Sequence, residues 1–496
     1  MGLMLFGCGT PEETGDVFSQ QQNEIIKTCP LDKATGKAAK DNIAFDSELF
    51  INSALVVTDP CRSRWHKTPP AGCDAGANGH WSFRYLMQQI AGENGKTEKG
   101  LTDFVMYWLS SYWKQPVVNG YTLSKRTEIQ KVVSSWREAS GCTRNPDDTS
   151  CTLDFEQAPF VLLSVVNRSD LHTQGTGGYG GDGPVAGELR FIFALAGFSP
   201  APLRTPPLEV DRSKREEGEI IAEFGIPTDR DDAVGWARRF HALTPMGLGS
   251  AAYRDALQKL TDDVLATGPQ LRTPRANGST LRRLRTGEHV GMVSEMEFRE
   301  FALDCPPADA ACLALRNTMR LQPIAPTQQP HEKYNGVAAM PAVLQDYLTK
   351  SYQQILTEQH TVPATYRFGG KTENFQAGAG VSEYGVNSIL WNAGALPAIP
   401  TVQERADTRR LFALSTCTGC HLRETKPADM MAGTLDGFFV KPSGKLAPFL
   451  LNRISVSDPM TFKTVDYDEP LRRQCEMQSI LNGQTNSLSN PSGRPH

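Results

Sequence analysis

The chain has 496 residues, 39% hydrophobic, 21% charged and 8% aromatic, with 51 basic against 55 acidic side chains and a net charge of -4. That balance excludes a nucleic-acid binder working by bulk electrostatics, which needs a basic surplus to neutralise phosphates, and the hydrophobic content excludes an acidic disordered tail. No window holds the ~18 uninterrupted apolar residues of a bilayer span, so a chain of about two to four domains, soluble or merely anchored, remains.

At the amino end, the apolar stretch Leu3 to Phe6 stands directly before Gly7 and Cys8, and a polar Thr/Pro/Glu run follows. This pattern matches the end of a bacterial lipoprotein signal, in which Cys8 becomes the lipidated first residue. A complete signal has a charged start and a longer apolar core, so it is expected to begin upstream. The alternative is an ordinary start with an unmodified Cys8. Acyl chains on Cys8 would hold the protein to a membrane face without a span. Residues 1–40 therefore read as signal remnant and linker.

An α+β domain is expected over 41–400, with a break into subdomains near 150–158. Phe50 to Val57 reads as a strand ended by Asp59-Pro60, and Trp81 to Ile90 as a short amphipathic helix. Thr102 can cap a helix whose Phe104, Val105, Trp108, Leu109 and Tyr112 share a face. Phe160 to Val166, Leu189 to Ala196 and Glu219 to Ile226 read as strands, the first suited to the middle of a sheet. The Gly-rich segment 175–184 matches no phosphate-binding loop and reads as a hairpin connection. Helices are expected at about Arg230 to Leu243 and Ser250 to Leu265, and a short one opened by Ser279 and Thr280, in which Arg282, Arg283 and Arg285 form a solvated face. Glu295 to Leu303 reads as a strand and Pro341 to Leu356 as a helix. Without a strict βαβ rhythm, the fold class is α+β, with a mixed or antiparallel sheet, flanking helices and a small, mainly helical C-terminal module at 401–496.

Cysteine usage points outside the cytosol. Cys61 with Cys73, Cys142 with Cys151, and Cys305 with Cys312 lie close in sequence within polar, loop-like flanks. Each couple reads as a disulfide closing a small surface loop, against the alternative of free buried thiols. Such bonds persist in an oxidising compartment, so periplasm or cell surface is expected. Cys29 and Cys475 are left near opposite ends and can pair to tie them together.

The motif with specific chemistry is Cys417-Thr418-Gly419-Cys420-His421. In C-x-x-C-H, two thiols can reach both vinyl groups of one porphyrin while the adjoining His ligates the iron. A helix over Glu404 to Ala413, carrying Leu411 and Phe412, supplies the expected context. One covalent haem c on Cys417 and Cys420, with His421 as proximal ligand, is the leading reading. Met460, in a Pro-bearing loop, is the candidate sixth ligand; Met430 and Met431 look more like packing residues. Three alternatives stand beside it: a plain disulfide, a zinc site lacking a second ligand pair nearby, and a redox dithiol without its usual βαβ frame.

Other constellations are weaker. No H-E-x-x-H or G-x-S-x-G is present. Asn167-Arg168-Ser169-Asp170 clusters polar groups at the end of a strand, either displaying a site or forming a turn in which Arg168 and Asp170 hold loop backbone.

The stretches FVLLSVVNRSDL (160–171), GELRFIFAL (187–195), WARRFHAL (236–243), NGSTLRRLRTGEH (277–289), EMEFREFALD (295–304) and LFALSTCTGCHLRET (411–425) resemble, in that order, a family of uncharacterised secreted bacterial lipoproteins, frequent in myxobacteria, that end in a CxxCH-containing domain. The resemblance spans most of the chain and implies secretion without a known activity. The C-terminal module is also similar to class I cytochrome c, differing in that Phe412 lies five positions before Cys417, one more than usual, and in the His421-Leu-Arg-Glu-Thr that follows. The expected function is electron transfer by an exported, lipid-anchored monohaem protein acting with a redox partner protein. The alternative is a non-enzymatic envelope protein, without haem, that binds a partner protein or glycan; a secreted hydrolase is a third.

Overall fold

The structure is a computed structural model that describes residues 29–172, 185–201, 208–228, 231–265, 279–290, 295–306, 309–315, 318–326, 329–334, 340–357, 360–382, 396–414, 416–417, 448–458, 461 and 463–484. Cys8, Cys420, His421, Met430, Met431, Met460 and the Gly-rich segment 175–184 lie outside the described residues.

The N-terminal helices follow their apolar spacing. Helix α1 (Phe83–Ala91) begins where the Ser82 side chain accepts from the Tyr85 amide, and it buries Phe83, Leu86, Met87 and Ile90. Helix α2 (Glu98–Trp113) is capped by Thr97, whose Oγ1 accepts from the Gly100 amide at 3.0 Å. The expected cap, Thr102, lies inside this helix instead, where its hydroxyl accepts from the Leu153 amide at 3.1 Å. Helix α3 (Thr127–Ala139), not anticipated, buries Ile129, Val133 and Trp136 at helical spacing. Helices α4 (Ala233–His241) and α5 (Ala251–Leu265) lie within the stretches read as helical.

An eight-stranded sheet runs through the centre. Its strands are β1 (Phe50–Ile51), β2 (Phe160–Arg168), β3 (Glu188–Pro200), β4 (Leu208–Gly225), β5 (Leu281–Val290), β6 (Glu295–Asp304), β7 (Arg320–Ile324) and β8 (Gly380–Ser382). They stand in the order β1-β2-β3-β4-β5-β6-β8, with β7 also paired to β6, and every pairing is antiparallel. Only Phe50 and Ile51 of the first expected strand are extended, because Ala54–Val57 turns into one helical turn. The strand expected from Glu219 is the end of one that starts at Leu208.

Both faces of the sheet are covered. Leu189, Phe191 and Phe193 of β3 and Ile220, Ala222 and Phe224 of β4 meet a core that includes Trp81, Trp108, Trp136 and Trp236, all at most 1% exposed. The alternate residues Ile192, Ile221 and Phe298 meet a second core built from helices α6 (Ala342–Leu356) and α7 (Val402–Leu414). The architecture is α+β, an antiparallel sheet between helical layers.

The region read as a short arginine helix is strand β5. Leu281 pairs with Phe224 and Leu284 with Ala222, and the register shifts between Glu223 and Phe224. That bulge places one extra residue on β5. Leucines three apart therefore share the first core, a spacing that in sequence looks helical. Arg282 and Arg285 are buried and Arg283 is half-buried, rather than solvated.

Helix α8 (Glu469–Leu481) returns to the first core with Met477 and Ile480 and packs on α4. Its Arg472 and the Arg168 of β2 both bind the Asp170 carboxylate, at 2.8 and 2.9 Å, and Arg472 also holds Glu469 at 2.6 Å. Arg168 and Asp170 thus secure a distant helix rather than local loop backbone. Burial opposes the Asp170 charge, but the two arginines outweigh it and hold its carboxyl well below the usual range.

All four expected disulfides are present: Cys29–Cys475, Cys61–Cys73, Cys142–Cys151 and Cys305–Cys312, with Cα separations of 5.1, 5.4, 5.8 and 5.5 Å. The last is not a surface clasp, since Cys305 and Cys312 belong to the first core. Four such bonds mark an exported, non-cytoplasmic protein. Among the described residues no helix is long and apolar enough to cross a membrane.

Candidate functional site

Helix α7 leads directly to Cys417, and its start is fixed by a reciprocal cap. The Thr401 Oγ1 accepts from the Glu404 amide while the Glu404 carboxylate accepts from the Thr401 amide, each at 3.0 Å. The helix is buried from Ala406 to Ala413 although it carries Asp407, Arg409 and Arg410. Those charges are paired: Arg410 with Asp407 at 2.6 Å, and Arg409 with Asp458 at 3.0 Å. Asp458 also accepts from the Thr461 amide at 2.8 Å. The two residues flanking the Pro459-Met460 pair are thereby held to each other and to the helix that precedes Cys417.

The helix ends as the Thr416 amide and hydroxyl both donate to the Ala413 carbonyl, at 2.9 and 2.8 Å. The Cys417 amide then donates to Gln329 Oε1 at 2.8 Å. This brings the cysteine onto strand β8. A Cβ placed on Gly380 would stand 2.6 Å from Cys417 Sγ, so the sulfur occupies the space that a side chain at position 380 would need. Upstream, Phe412 lies 5.7 Å from Tyr347 and 5.6 Å from His360, ring to ring, in an aromatic group continued by Phe375. Burial pushes His360 down to about 4, so it is neutral at ordinary pH.

Cys417 is a free thiol. Burial, followed by the nearby Glu300 carboxylate and against the opposing pull of Arg285, pushes it up to about 12. The thiol is therefore neutral at ordinary pH. A neutral sulfur at Cys417 is what a thioether link would keep, while Cys420 and His421, which would complete a haem attachment, lie outside the described residues. Among the described residues no group of three or more His, Cys, Asp or Glu side chains is placed to hold a metal ion.

The sheet face beneath Cys417 is charged as well as apolar. Arg190 reaches Glu188 at 2.9 Å and Glu223 at 3.2 Å; Arg285 reaches Glu223 at 3.4 Å and Glu300 at 3.2 Å; Arg282 lies 3.6 Å from Glu188. All are less than 9% exposed. Burial would raise Glu188, but Arg190 and Arg282 overcome it and lower its pKa, whereas burial prevails over the arginines at Glu223 and raises it. Glu219 stands apart: it is 2% exposed, neither carboxylate oxygen has a hydrogen-bond partner among the described residues, and burial pushes it up to about 8.

Of these sheet residues only Arg282 and Arg285 were singled out from sequence, and then as a solvated helix face; the glutamates and Arg190 were not. The signal was present in Glu188-x-Arg190 and Glu219-x-x-x-Glu223, charges recurring at the strand period between apolar residues. Such alternation ordinarily means a solvated face, and it misleads where both faces are covered. No family model, no curated protein and no solved structure matches the chain.

Proposed function

We propose that the chain is an exported electron-transfer protein carrying one haem c, bound covalently through Cys417 and Cys420 with His421 as proximal ligand and Met460 as sixth ligand. The observation that supports this reading is the state of Cys417: a half-buried, uncharged sulfur set on the sheet at the end of a helix with fixed ends. When bound, the haem supplies one-electron oxidation and reduction at its iron. The chain's own contribution is orientation and exclusion of water. The Thr401–Glu404 cap fixes the start of helix α7, the Arg409–Asp458 pair ties Asp458 to it, and the aromatic group around Phe412 would supply an apolar wall. Lipidation at Cys8 belongs to the same proposal and would keep the protein at a membrane face of the periplasm or cell surface, within reach of a redox partner protein.

The test is production with cytochrome c maturation machinery. A Soret band that survives acid-acetone extraction, and a pyridine haemochrome spectrum weakened in Cys417→Ala and absent in the Cys417→Ala/Cys420→Ala double variant, are expected. An intact mass without porphyrin would sink the reading and leave the haem-free envelope binding protein in its place.

A further inference from the structure

We propose that the buried arginines Arg168 and Arg473 hold a small inorganic anion of chloride size between them, where the end of strand β2 meets helix α8, as a ligand of the folded chain. No covalent bond changes when it binds, and the site stands independently of the haem reading.

Two side chains point to a missing partner. Arg168 ends β2 and is 1% exposed; Arg473 lies near the start of α8 and is 2% exposed. Each guanidinium is fixed through its other nitrogens. Arg168 grips Asp170 in a fork, Nε on Oδ1 at 2.9 Å and Nη2 on Oδ2 at 3.0 Å, and Arg473 Nε donates to Glu469 Oε1 at 2.8 Å. What each leaves over is its Nη1, shielded from solvent and without a hydrogen-bond partner among the described residues. Buried donors of this kind are ordinarily satisfied, and an exception calls for an ion or an ordered water.

The two leftover donors belong to one cluster. Arg168 Nη2, Asp170 Oδ2, Arg472 Nη2, Glu469 Oε1 and Arg473 Nε follow one another at 3.0, 2.8, 2.6 and 2.8 Å. Burial, and after it the repulsion of Arg168, push Arg473 down to about 10, against the attraction of the Glu469 carboxylate that it touches. Coulomb repulsion falls with distance, so a like charge that outweighs a touching carboxylate stands close by.

Charge decides between an ion and a water. The row of five has three guanidiniums and two carboxylates, a surplus of one positive charge. Neighbouring acids do not meet that surplus at the ends of the row. Glu188, opposite Arg168 across the sheet, is engaged with Arg190 at 2.9 Å and lies 3.6 Å from Arg282, while Glu476, one turn further along α8, attracts Arg472 in the middle. Uncompensated buried charge is costly. A monovalent anion accepts from both Nη1 groups and cancels the surplus, whereas a water cancels nothing and adds two hydrogens of its own to a place already crowded with donors. The closure of the site sets the size: with both Nη1 atoms cut off from solvent, the ligand carries no chain and is monatomic.

The experiment is thermal unfolding of the full, disulfide-intact chain in sodium chloride against sodium gluconate at equal ionic strength. The parent is expected to gain stability saturably in chloride, the folded-to-unfolded ratio rising about a hundredfold at a chloride concentration about a hundred times its dissociation constant. Phosphate at the same ionic strength is expected to act no better than gluconate. Arg473→Gln, which leaves Glu469 with Arg472, is expected to unfold alike in chloride and gluconate. Crystals of the parent grown in bromide are expected to show an anomalous peak between the Arg168 and Arg473 guanidiniums. A parent that melts alike in chloride and gluconate overturns the inference and leaves a water in that position. A chloride effect undiminished in Arg473→Gln overturns it by placing the anion elsewhere, and stabilisation by phosphate in place of chloride overturns the monatomic assignment. Should Arg473→Gln fail to fold, a bromide map of the parent that is empty at the two guanidiniums overturns it just as well.

Discussion

Gly380 illustrates how one missing methyl group can position a site. Its backbone needs no left-handed turn; what it lacks is room, because Cys417 Sγ lies 2.6 Å from the place of a Cβ. Inserting a methyl group into a packed interior costs about 1–3 kcal/mol. Gly380→Ala is expected to lower the denaturation midpoint by a corresponding amount at unchanged m-value. In a Cys417→Ala background the same substitution should cost little, since the colliding atom is gone. Two losses that simply add would refute the contact, because neighbouring residues that share a clash are expected to couple.

Among the elements, helix α8 is held by charge as well as by its apolar face. Arg472 binds both Asp170 and Glu469; Arg472 and Asp170 are buried and Glu469 is half-buried. Truncating one member of a buried ion group leaves its partners uncompensated, at about 3–5 kcal/mol. Arg472→Met is expected to lose that much in chemical denaturation, and a loss typical of a surface pair would show that the network is solvated. The sequence reading could not have found this group, since Arg168 and Arg472 are 304 positions apart and nothing in either segment names its partner. Helices α1 and α2 were legible because a single apolar stripe decides them. Strand β5 was not, since its bulge gives leucines a three-residue spacing that belongs equally to helices. The candidate site was half legible: the C-x-x-C-H spacing is local chemistry readable in any chain, whereas the charged face beneath it arises only when four strands come into register.

For the whole molecule, the four disulfides divide by reach. Three close short segments, and Cys29–Cys475 joins positions 446 apart. The last constrains the unfolded chain most, although measured gains track loop length only loosely, and its removal is expected to cost about 2–5 kcal/mol. Cys29→Ser/Cys475→Ser should therefore melt well below the parent, while the α8 ion network keeps that helix docked at low temperature. Equal melting of the two proteins would show that the bond adds nothing to the native contacts.

The same bond has a mechanical consequence. A chain tugged from its two ends, as when one end is fastened to a membrane and the other is gripped by a protease, passes the load straight across the sulfur bridge from Cys29 to Cys475. The polypeptide between them carries no tension. Unravelling from either tail is expected to stop at this covalent clasp until it is reduced.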